Sequence, residues 1–225
     1  MIICDKIVKK YKNKKVLNEL TLVIMPGEFV SIVGPSGAGK STLVHALIGA
    51  ERIQGGSITV DGYRVSEMTG KELQFYRRRI GVVFQDYRLL PQKTVFENVA
   101  FALEVCGVEK AKIKPRVMEV LKMVGLTGMA EQFPYQLSGG ERQRTAIARS
   151  LVHDPGMLVA DEPTGNLDPK TALEIMKLFL EINKNGISVL LTTHNKDLVN
   201  FAKRRVVKIE DGRVVEDKGG SEYII

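Results

Sequence analysis

The chain has 225 residues, a formal net charge of +7 and 44% hydrophobic residues. That length suits one domain, and that apolar content excludes a chain that is disordered throughout. No apolar run reaches the roughly 18–20 residues that span a bilayer. The N-terminus lacks the apolar core of a signal peptide, and the two cysteines, Cys4 and Cys106, exclude a disulfide scaffold. We therefore expect a cytosolic, mildly basic globular protein.

Apolar or alternating runs predict short strands in the first third of the chain, at residues 2–8, 20–24 and 29–33. Residues 57–60 and 63–65 flank an Asp-Gly pair, which is typical of a tight hairpin turn. These short strands with turns between them predict an antiparallel N-terminal sheet.

The middle of the chain predicts helices. Residues 110–124 carry apolar side chains at three- and four-residue spacings, and Pro115 is expected near the helix start, where proline is tolerated. We expect this helix to belong to a helical insert at residues 86–150.

From about residue 143 the pattern alternates between helices and short apolar strands, and it ends in a second Asp-Gly hairpin. Helices are predicted at 144–153 and 171–184, strands at 157–160 and 188–192, and the hairpin at 206–209 and 213–215. Short, wholly apolar strands between helices predict parallel strands covered on both faces. The sequence therefore predicts an α/β fold in a single domain, with a core at 1–85 and 151–218 and a tail at 219–225.

A glycine-rich segment follows the predicted strand at 29–33 and matches G-x-x-x-x-G-K-[ST] at every fixed position. The predicted phosphate-binding residues are Gly34, Pro35, Ser36, Gly37, Ala38, Gly39, Lys40, Ser41 and Thr42. Glycines let successive backbone N–H groups approach phosphate oxygens, and the following helix adds its positive end. Lys40 supplies a cation, and the Ser41 hydroxyl is a ligand for Mg²⁺. His45, on the next helix, is interpreted as a packing or surface residue.

Two acids follow the apolar strand at 157–160. Asp161 fits the carboxylate that supports Mg²⁺ beside a phosphate loop, and Glu162 fits a base that orients or deprotonates the attacking water. The alternative is that both acids only cap the next segment.

The segment LSGGE precedes a predicted helix and forms an S-x-x-E capping box between Ser138 and Glu141. A capped helix start is the simpler interpretation, but capping does not require Gly139 and Gly140. These glycines leave backbone amides uncovered at a helix N-terminus, which predicts a second anion site. One nucleotide could then lie between the phosphate loop of one chain and this helix end of a second chain.

LSGGE, GPSGAGKST and LVADEPTGNLD together resemble the nucleotide-binding domain of the ATP-binding-cassette (ABC) family over nearly the whole chain. The resemblance implies a P-loop NTPase with a RecA-like core, an antiparallel β-subdomain and a helical subdomain. It also implies a Mg²⁺-dependent ATPase. The residues to which it gives roles are Gln85 (catalysis and Mg²⁺), His194 (γ-phosphate contact), Tyr11 (adenine stacking) and Asn166, Leu167 and Asp168 (dimer interface). Without the resemblance, the simpler interpretations are that Gln85 is a surface residue of a loop and that His194 is a histidine at a strand end. Tyr11 would then be a surface aromatic.

DEPTGNLD resembles the subgroup that serves lipoprotein-release, macrolide-efflux and cell-division complexes, and residues 84–107 resemble its cell-division branch. That branch implies an ATP-dependent homodimer on the cytoplasmic face of the membrane. It also implies the integral membrane partner FtsX, an anionic membrane surface as a contact, and control of peptidoglycan hydrolases. The candidate liners of a groove for a partner helix are Phe84, Tyr87, Leu89, Leu90, Val95, Phe96 and Val99.

Transporter-type alternatives stay open: an ATPase subunit for lipoprotein release, for macrolide efflux or for transport of a small solute. A nucleic-acid-acting ABC ATPase is a rival of another class that the positive charge permits. However, the sequence carries no coiled-coil heptads and no cysteine clusters, so no nucleic-acid partner is expected. A simple P-loop kinase is disfavoured by LSGGE and TGNLD.

Overall fold

The computed structural model describes residues 1–219 as two sheets with helices around them. The strands are β1 (Ile2–Tyr11), β2 (Lys14–Ile24), β3 (Phe29–Val33), β4 (Gly55–Val60), β5 (Tyr63–Arg64), β6 (Ile80–Phe84), β7 (Met157–Asp161), β8 (Ser188–Thr192), β9 (Arg205–Glu210) and β10 (Arg213–Lys218). The helices are α1 (Lys40–Leu47), α2 (Gly70–Arg77), α3 (Val95–Cys106), α4 (Lys110–Met123), α5 (Gly139–Leu151), α6 (Pro169–Lys184) and α7 (Lys196–Ala202). Single 3₁₀ turns lie at Thr127–Met129 and Pro134–Gln136.

The central sheet has the strand order β10-β9-β3-β8-β7-β6. All neighbouring strands pair in parallel except β10, which is an antiparallel edge strand. Every residue of β3 is buried, and β7 and β8 each have four buried residues out of five. Burial on both faces accounts for the unbroken apolar runs in the sequence. The carboxyl ends of β3, β6, β7 and β8 meet at one edge, which is where such sheets bind ligands.

A second sheet, with the order β2-β1-β4-β5, is wholly antiparallel. Its first two strands are longer than predicted because their antiparallel pairing continues through basic side chains, with Lys10 opposite Lys15 and Tyr11 opposite Lys14. One buried apolar cluster fills the space among this sheet, α1 and one face of the central sheet. A second cluster joins the opposite face to α3–α6.

Helices α3, α4 and α5 pack together within the segment predicted as a helical insert. Helix α5 begins at Gly139, earlier than predicted, because Ser138 caps it. The expectation for Pro115 is wrong: α4 begins at Lys110, so the proline is the sixth helical residue and lies inside the helix. It therefore removes the helical hydrogen bond to the carbonyl of Ala111.

Among residues 1–219, no helix combines the length and the apolarity that a membrane span needs. The predicted tail at 219–225 lies outside the described residues except for Gly219.

Candidate active site

The phosphate loop connects β3 to α1 and lines a cavity of about 530 Å³. Two of its glycines are required by geometry. A Cβ on Gly34 would lie 2.1 Å from the Ile209 carbonyl oxygen, and one on Gly39 would lie 2.6 Å from the Val16 carbonyl oxygen. Gly39 also has φ of 105° directly before α1. These glycines let the loop wrap closely, so that the N-terminus of α1 faces the cavity.

Lys40 is the first residue of α1, and its side chain is buried at the cavity wall. Its ammonium donates to the carbonyl oxygens of Gly34 at 2.8 Å and Pro35 at 3.1 Å. It also lies 3.8 Å from a Glu162 carboxylate oxygen. The cation is therefore held at the loop by neutral carbonyls, which an incoming phosphate can replace.

Asp161 ends β7 beside Phe84 of β6 and Thr192 of β8. Its carboxylate accepts hydrogen bonds from Ser41 Oγ at 3.1 Å and from Thr192 Oγ1 at 2.7 Å. Thr192 is fully buried and is not among the predicted site residues; the signal in the sequence is a hydroxyl residue at the end of an apolar strand. It fixes Asp161 against Ser41, the predicted Mg²⁺ ligand.

Glu162 lies one residue beyond the strand with a left-handed φ of 47°. Its backbone N–H donates to Thr192 Oγ1 at 2.9 Å and to the Thr192 carbonyl at 3.2 Å. These contacts hold a conformation that is unfavourable for a residue other than glycine, as is common at functional sites. The turn aims the Glu162 side chain into the cavity, where it is 14% exposed, and His194 Nδ1 lies 2.9 Å from its carboxylate.

Gln85 follows β6 and lines the same cavity. It forms a reciprocal pair with Asn166: Gln85 Nε2 donates to Asn166 Oδ1 at 3.2 Å, and Asn166 Nδ2 donates to the Gln85 carbonyl at 3.1 Å. The structure therefore joins the predicted Mg²⁺ and water contact directly to the predicted dimer-interface segment, Asn166, Leu167 and Asp168.

The predicted capping box at α5 is present. Ser138 donates through both its N–H and its hydroxyl to one Glu141 carboxylate oxygen, each at 2.7 Å. These hydrogen bonds, the hydroxyl first, lower the pKa of Glu141. Gly140 packs so closely against Thr171 that a Cβ would lie 2.6 Å from its Cγ2 atom.

A cavity of about 590 Å³ surrounds this helix start and includes Ser138, Gly139, Gly140, Glu141 and the Asn166–Asp168 segment. It shares no lining residue with the phosphate-loop cavity. The two predicted anion sites of one chain therefore lie in separate cavities, and the predicted residues do not converge on one nucleotide site within it.

Tyr11 is exposed and does not line the phosphate-loop cavity. Its ring lies 4.8 Å from the Lys9 ammonium, while Val16, on the neighbouring strand, lines the cavity instead. Sequence reasoning missed Val16 because an aliphatic residue in a β-hairpin carries no chemical signal. His45 packs 6.2 Å from the Phe84 ring, as a packing residue would.

The predicted partner groove needs a correction. Val95 and Val99 have no exposed surface and belong to the buried core, so they cannot line a groove. Phe84 is covered by the Arg88 guanidinium, 3.7 Å from its ring centroid. A different groove of about 390 Å³ lies among α2, α3 and α5, with the exposed side chains of Phe101 and Val105 in its lining.

Comparisons with known proteins agree with this geometry. A family model described as "ABC transporter" matches residues 17–165. The cell division ATP-binding protein FtsE of Bacillus subtilis is 53% identical over 224 residues, covering 99% of this chain and 98% of that protein. FtsE of Streptococcus pneumoniae is 51% identical over 218 residues, covering 96% and 95%. The dimeric ATP-binding cassette MJ0796, in a post-hydrolysis state bound to ADP and Pi, has a TM-score of 0.89 at 35% identity, covering 99% of this chain and 100% of that chain.

A parallel sheet with a phosphate loop, an acidic pair and a strand-end histidine at one edge defines a P-loop nucleotide-binding protein. The family model covers more than half of the chain, and both relatives align with nearly all of it. The chain belongs to the ABC transporter family and is one of its ATP-hydrolysing subunits. The predictions of fold class and of ATPase activity are confirmed.

Proposed function

We propose that the chain is the ATPase subunit of a cell-division ABC complex. In this proposal it acts as an ATP-dependent homodimer on the cytoplasmic face of the membrane, with FtsX as its integral membrane partner, and controls peptidoglycan hydrolases. The identity of 53% to a cell-division ATPase along nearly the whole chain carries the proposal. The separation of the phosphate-loop and LSGGE cavities supports the homodimer, because a nucleotide needs both surfaces.

In the proposed reaction, phosphate oxygens replace the two carbonyl oxygens that now accept from Lys40. Loop amides and the N-terminus of α1 stabilise phosphate charge on one side. The amides at Ser138–Gly140 of the second chain act on the other side. Catalysis is then mainly a matter of positioning and electrostatics.

Mg²⁺ accompanies ATP and neutralises charge between the β- and γ-phosphates when bound. Ser41 and Gln85 line the cavity, and Asp161 is hydrogen-bonded to Ser41. Hydroxyl, carboxamide and carboxylate oxygens are the hard ligands that this ion prefers. The donor set therefore fits Mg²⁺, with Ser41 and Gln85 as ligands and Asp161 behind them.

Glu162 is the proposed general base, and His194 is its neighbour at the γ-phosphate. The short contact between them orients the carboxylate, and its low exposure keeps it from being fully hydrated. A carboxylate in this position accepts a proton from the water that attacks phosphorus.

We place the membrane partner in the groove lined by Phe101 and Val105. Its lining includes Arg77, Arg78 and Arg149 and no carboxylate. An amphipathic helix with an apolar face and an acidic side chain fits that combination. We therefore assign the groove to a cytoplasmic helix of FtsX.

Co-purification from native membranes tests the assignment, with Phe101→Asp as the groove variant. Phe201→Asp is a matched control, because Phe101 and Phe201 are 40% and 41% exposed and Phe201 lies on α7, away from the groove. We expect the wild type and Phe201→Asp to recover FtsX, and Phe101→Asp to lose it.

Recovery of a lipoprotein-release or solute-transport permease would overturn the cell-division role. ATPase activity that DNA or RNA stimulates, with steep salt dependence, would instead favour the nucleic-acid alternative. Retention of FtsX by Phe101→Asp would overturn the assignment of the groove alone.

A further inference from the structure

The segment between Gln85 and α3 contains an unfavourable backbone conformation. Tyr87 and Arg88 are consecutive non-glycine residues with left-handed φ angles of 59° and 48°. Such conformations persist only where surrounding contacts determine them. Only Asp86 separates this pair from Gln85, so whatever holds the pair also sets the direction in which Gln85 leaves the sheet.

Arg149 of α5 supplies the holding contacts. Its Nη1 atom donates to the Arg88 carbonyl at 2.7 Å, and its Nη2 atom donates to the Tyr87 carbonyl at 2.9 Å. Burial lowers the pKa of this guanidinium, which nevertheless stays protonated in proteins. Among residues 1–219, no carboxylate lies within 4.0 Å of it. The partly buried Arg149 guanidinium therefore donates its hydrogen bonds to the two carbonyls of the left-handed pair.

A second contact comes from the same helix. The Arg142 guanidinium lies 5.4 Å from the Tyr87 ring centroid. At the start of the helix, a Cβ on Gly139 would lie 3.4 Å from the Tyr87 hydroxyl oxygen. The Tyr87 side chain therefore lies along the helix that begins at LSGGE.

The downstream end of the segment is fixed by Asn98, which is fully buried in α3. Its Oδ1 atom accepts from the Leu90 N–H at 2.8 Å, and its Nδ2 atom donates to the carbonyls of Leu90, Lys93 and Thr94 at 2.9–3.1 Å. Residues 87–94 are thus bound to α3 and α5. Gln85 and Asp86 connect this segment to the end of β6.

We infer that Arg149 is a positioning residue for ATP hydrolysis, which fixes the direction of Gln85 through the Tyr87 and Arg88 carbonyls. Arg149 also lines the Phe101 groove. An occupant of that groove that draws the guanidinium away would therefore release the left-handed pair and redirect Gln85. The inference thus has a positioning half, that Arg149 directs Gln85, and a regulatory half, that a groove occupant acts through Arg149. Only the regulatory half rests on the proposed docking of a membrane partner.

The first test uses the isolated chain and Arg149→Lys. A lysine keeps the charge but lacks the planar fork that spans two carbonyls. We expect kcat to fall about tenfold to hundredfold, the scale of a displacement near 1 Å, with nucleotide affinity unchanged. The control is Arg116→Lys, because Arg116 also donates to a main-chain carbonyl, that of Val152, at 3.1 Å, yet lines neither candidate cavity. Full kcat in Arg149→Lys would overturn the inference.

A double-mutant cycle with Gln85→Ala separates positioning from general support of the fold. If Arg149 acts through Gln85, Arg149→Lys adds no further loss of kcat in the Gln85→Ala background. If the losses of kcat caused by Arg149→Lys and by Gln85→Ala multiply in the double variant, the inference is wrong. Should Arg149→Lys fail to fold, Arg149→Gln takes its place, and faster hydrogen exchange at residues 85–94 is the supporting result.

The regulatory half is read from the ratio of ATPase rates with and without FtsX. Arg149→Lys should reduce that ratio, while Arg116→Lys should not. An unchanged ratio beside a reduced basal kcat would overturn only the regulatory half. Failure of the wild type to bind FtsX would count against the proposed function and leave the positioning test intact.

Discussion

Replacing Glu162 by glutamine removes the proposed base and keeps the shape of the side chain. Its carboxylate lies 2.9 Å from His194 Nδ1 and 3.8 Å from the Lys40 ammonium. A carboxamide fills the same space but accepts no proton at neutral pH. The substitution therefore removes proton transfer and one negative charge, with little change in packing.

The expected loss of hydrolysis rate in Glu162→Gln follows from the proposed role of Glu162 as the general base. General base catalysis contributes about 10²- to 10⁴-fold, which equals about 3–5 kcal/mol in the activation barrier. ATP affinity should not fall, because the variant frees Lys40 from a carboxylate and removes a charge that repels the γ-phosphate. Slow hydrolysis with retained binding predicts that ATP-bound dimers accumulate.

Chemically quenched formation of ADP in a single turnover measures the chemical step, and size-exclusion chromatography with ATP measures the dimer. Glu181→Gln is the control, because Glu181 is exposed on α6 and pairs only with Lys184 among the described residues. Hydrolysis by Glu162→Gln within about tenfold of the wild-type rate would refute the assignment, since a general base contributes more than that.

Three other changes probe the site and the fold. Lys40→Met should weaken ATP binding about tenfold to hundredfold, the value of one hydrogen bond to a charged group, as measured by calorimetry. Phe179→Ala removes a fully buried ring from the core and should lower the free energy of unfolding by about 3–5 kcal/mol in denaturant titrations. The lowered pKa of Glu141 contributes stability above about pH 4.3, the ordinary glutamate value, and this stability is lost as the pH falls through the lower folded-state pKa. Ser138→Ala should weaken that acid-induced loss in unfolding measured against pH.

Results that would contradict these predictions are equally specific. Unchanged ATP affinity in Lys40→Met would show that the ammonium does not reach phosphate. A small effect of Phe179→Ala would mean that the surrounding helices collapse into the cavity. Identical acid unfolding of Ser138→Ala and the wild type would show that the Ser138 hydroxyl does not lower the pKa of Glu141, because the variant keeps the hydrogen bond from the backbone N–H.

The sequence predicted those features that depend on local patterns. The phosphate loop needs glycines directly before a helix, and a capping box needs acceptor and donor three residues apart, so both are visible in consecutive letters. Buried parallel strands such as β3 and β8 are equally visible as unbroken apolar runs. Strand β6 was not predicted separately, because five residues between basic and polar segments do not distinguish a strand from a helix end.

The partner groove could not be predicted because apolarity does not tell a surface from a core. The apolar side chains of Val95 and Val99 predict a groove lining, but α3 turns them inward and presents Phe101 and Val105 outward. The Arg149 contacts join residues 61 and 62 positions apart in the sequence. No local sequence pattern predicts hydrogen bonds between such distant residues, because they depend on how α5 packs beside the end of β6.

Gln85 is the residue at which these long-range contacts meet. It lines the phosphate-loop cavity, pairs with Asn166 of the predicted dimer segment and lies two and three residues before the carbonyls held by Arg149. A change at the dimer segment, the cavity or the groove therefore alters the surroundings of the same side chain. Because the two predicted anion sites of each chain lie in separate cavities, closure of the proposed dimer around ATP would fix both Gln85 residues at once. The proposed membrane partner would then act on the same side chain by drawing the Arg149 guanidinium away from the Tyr87 and Arg88 carbonyls.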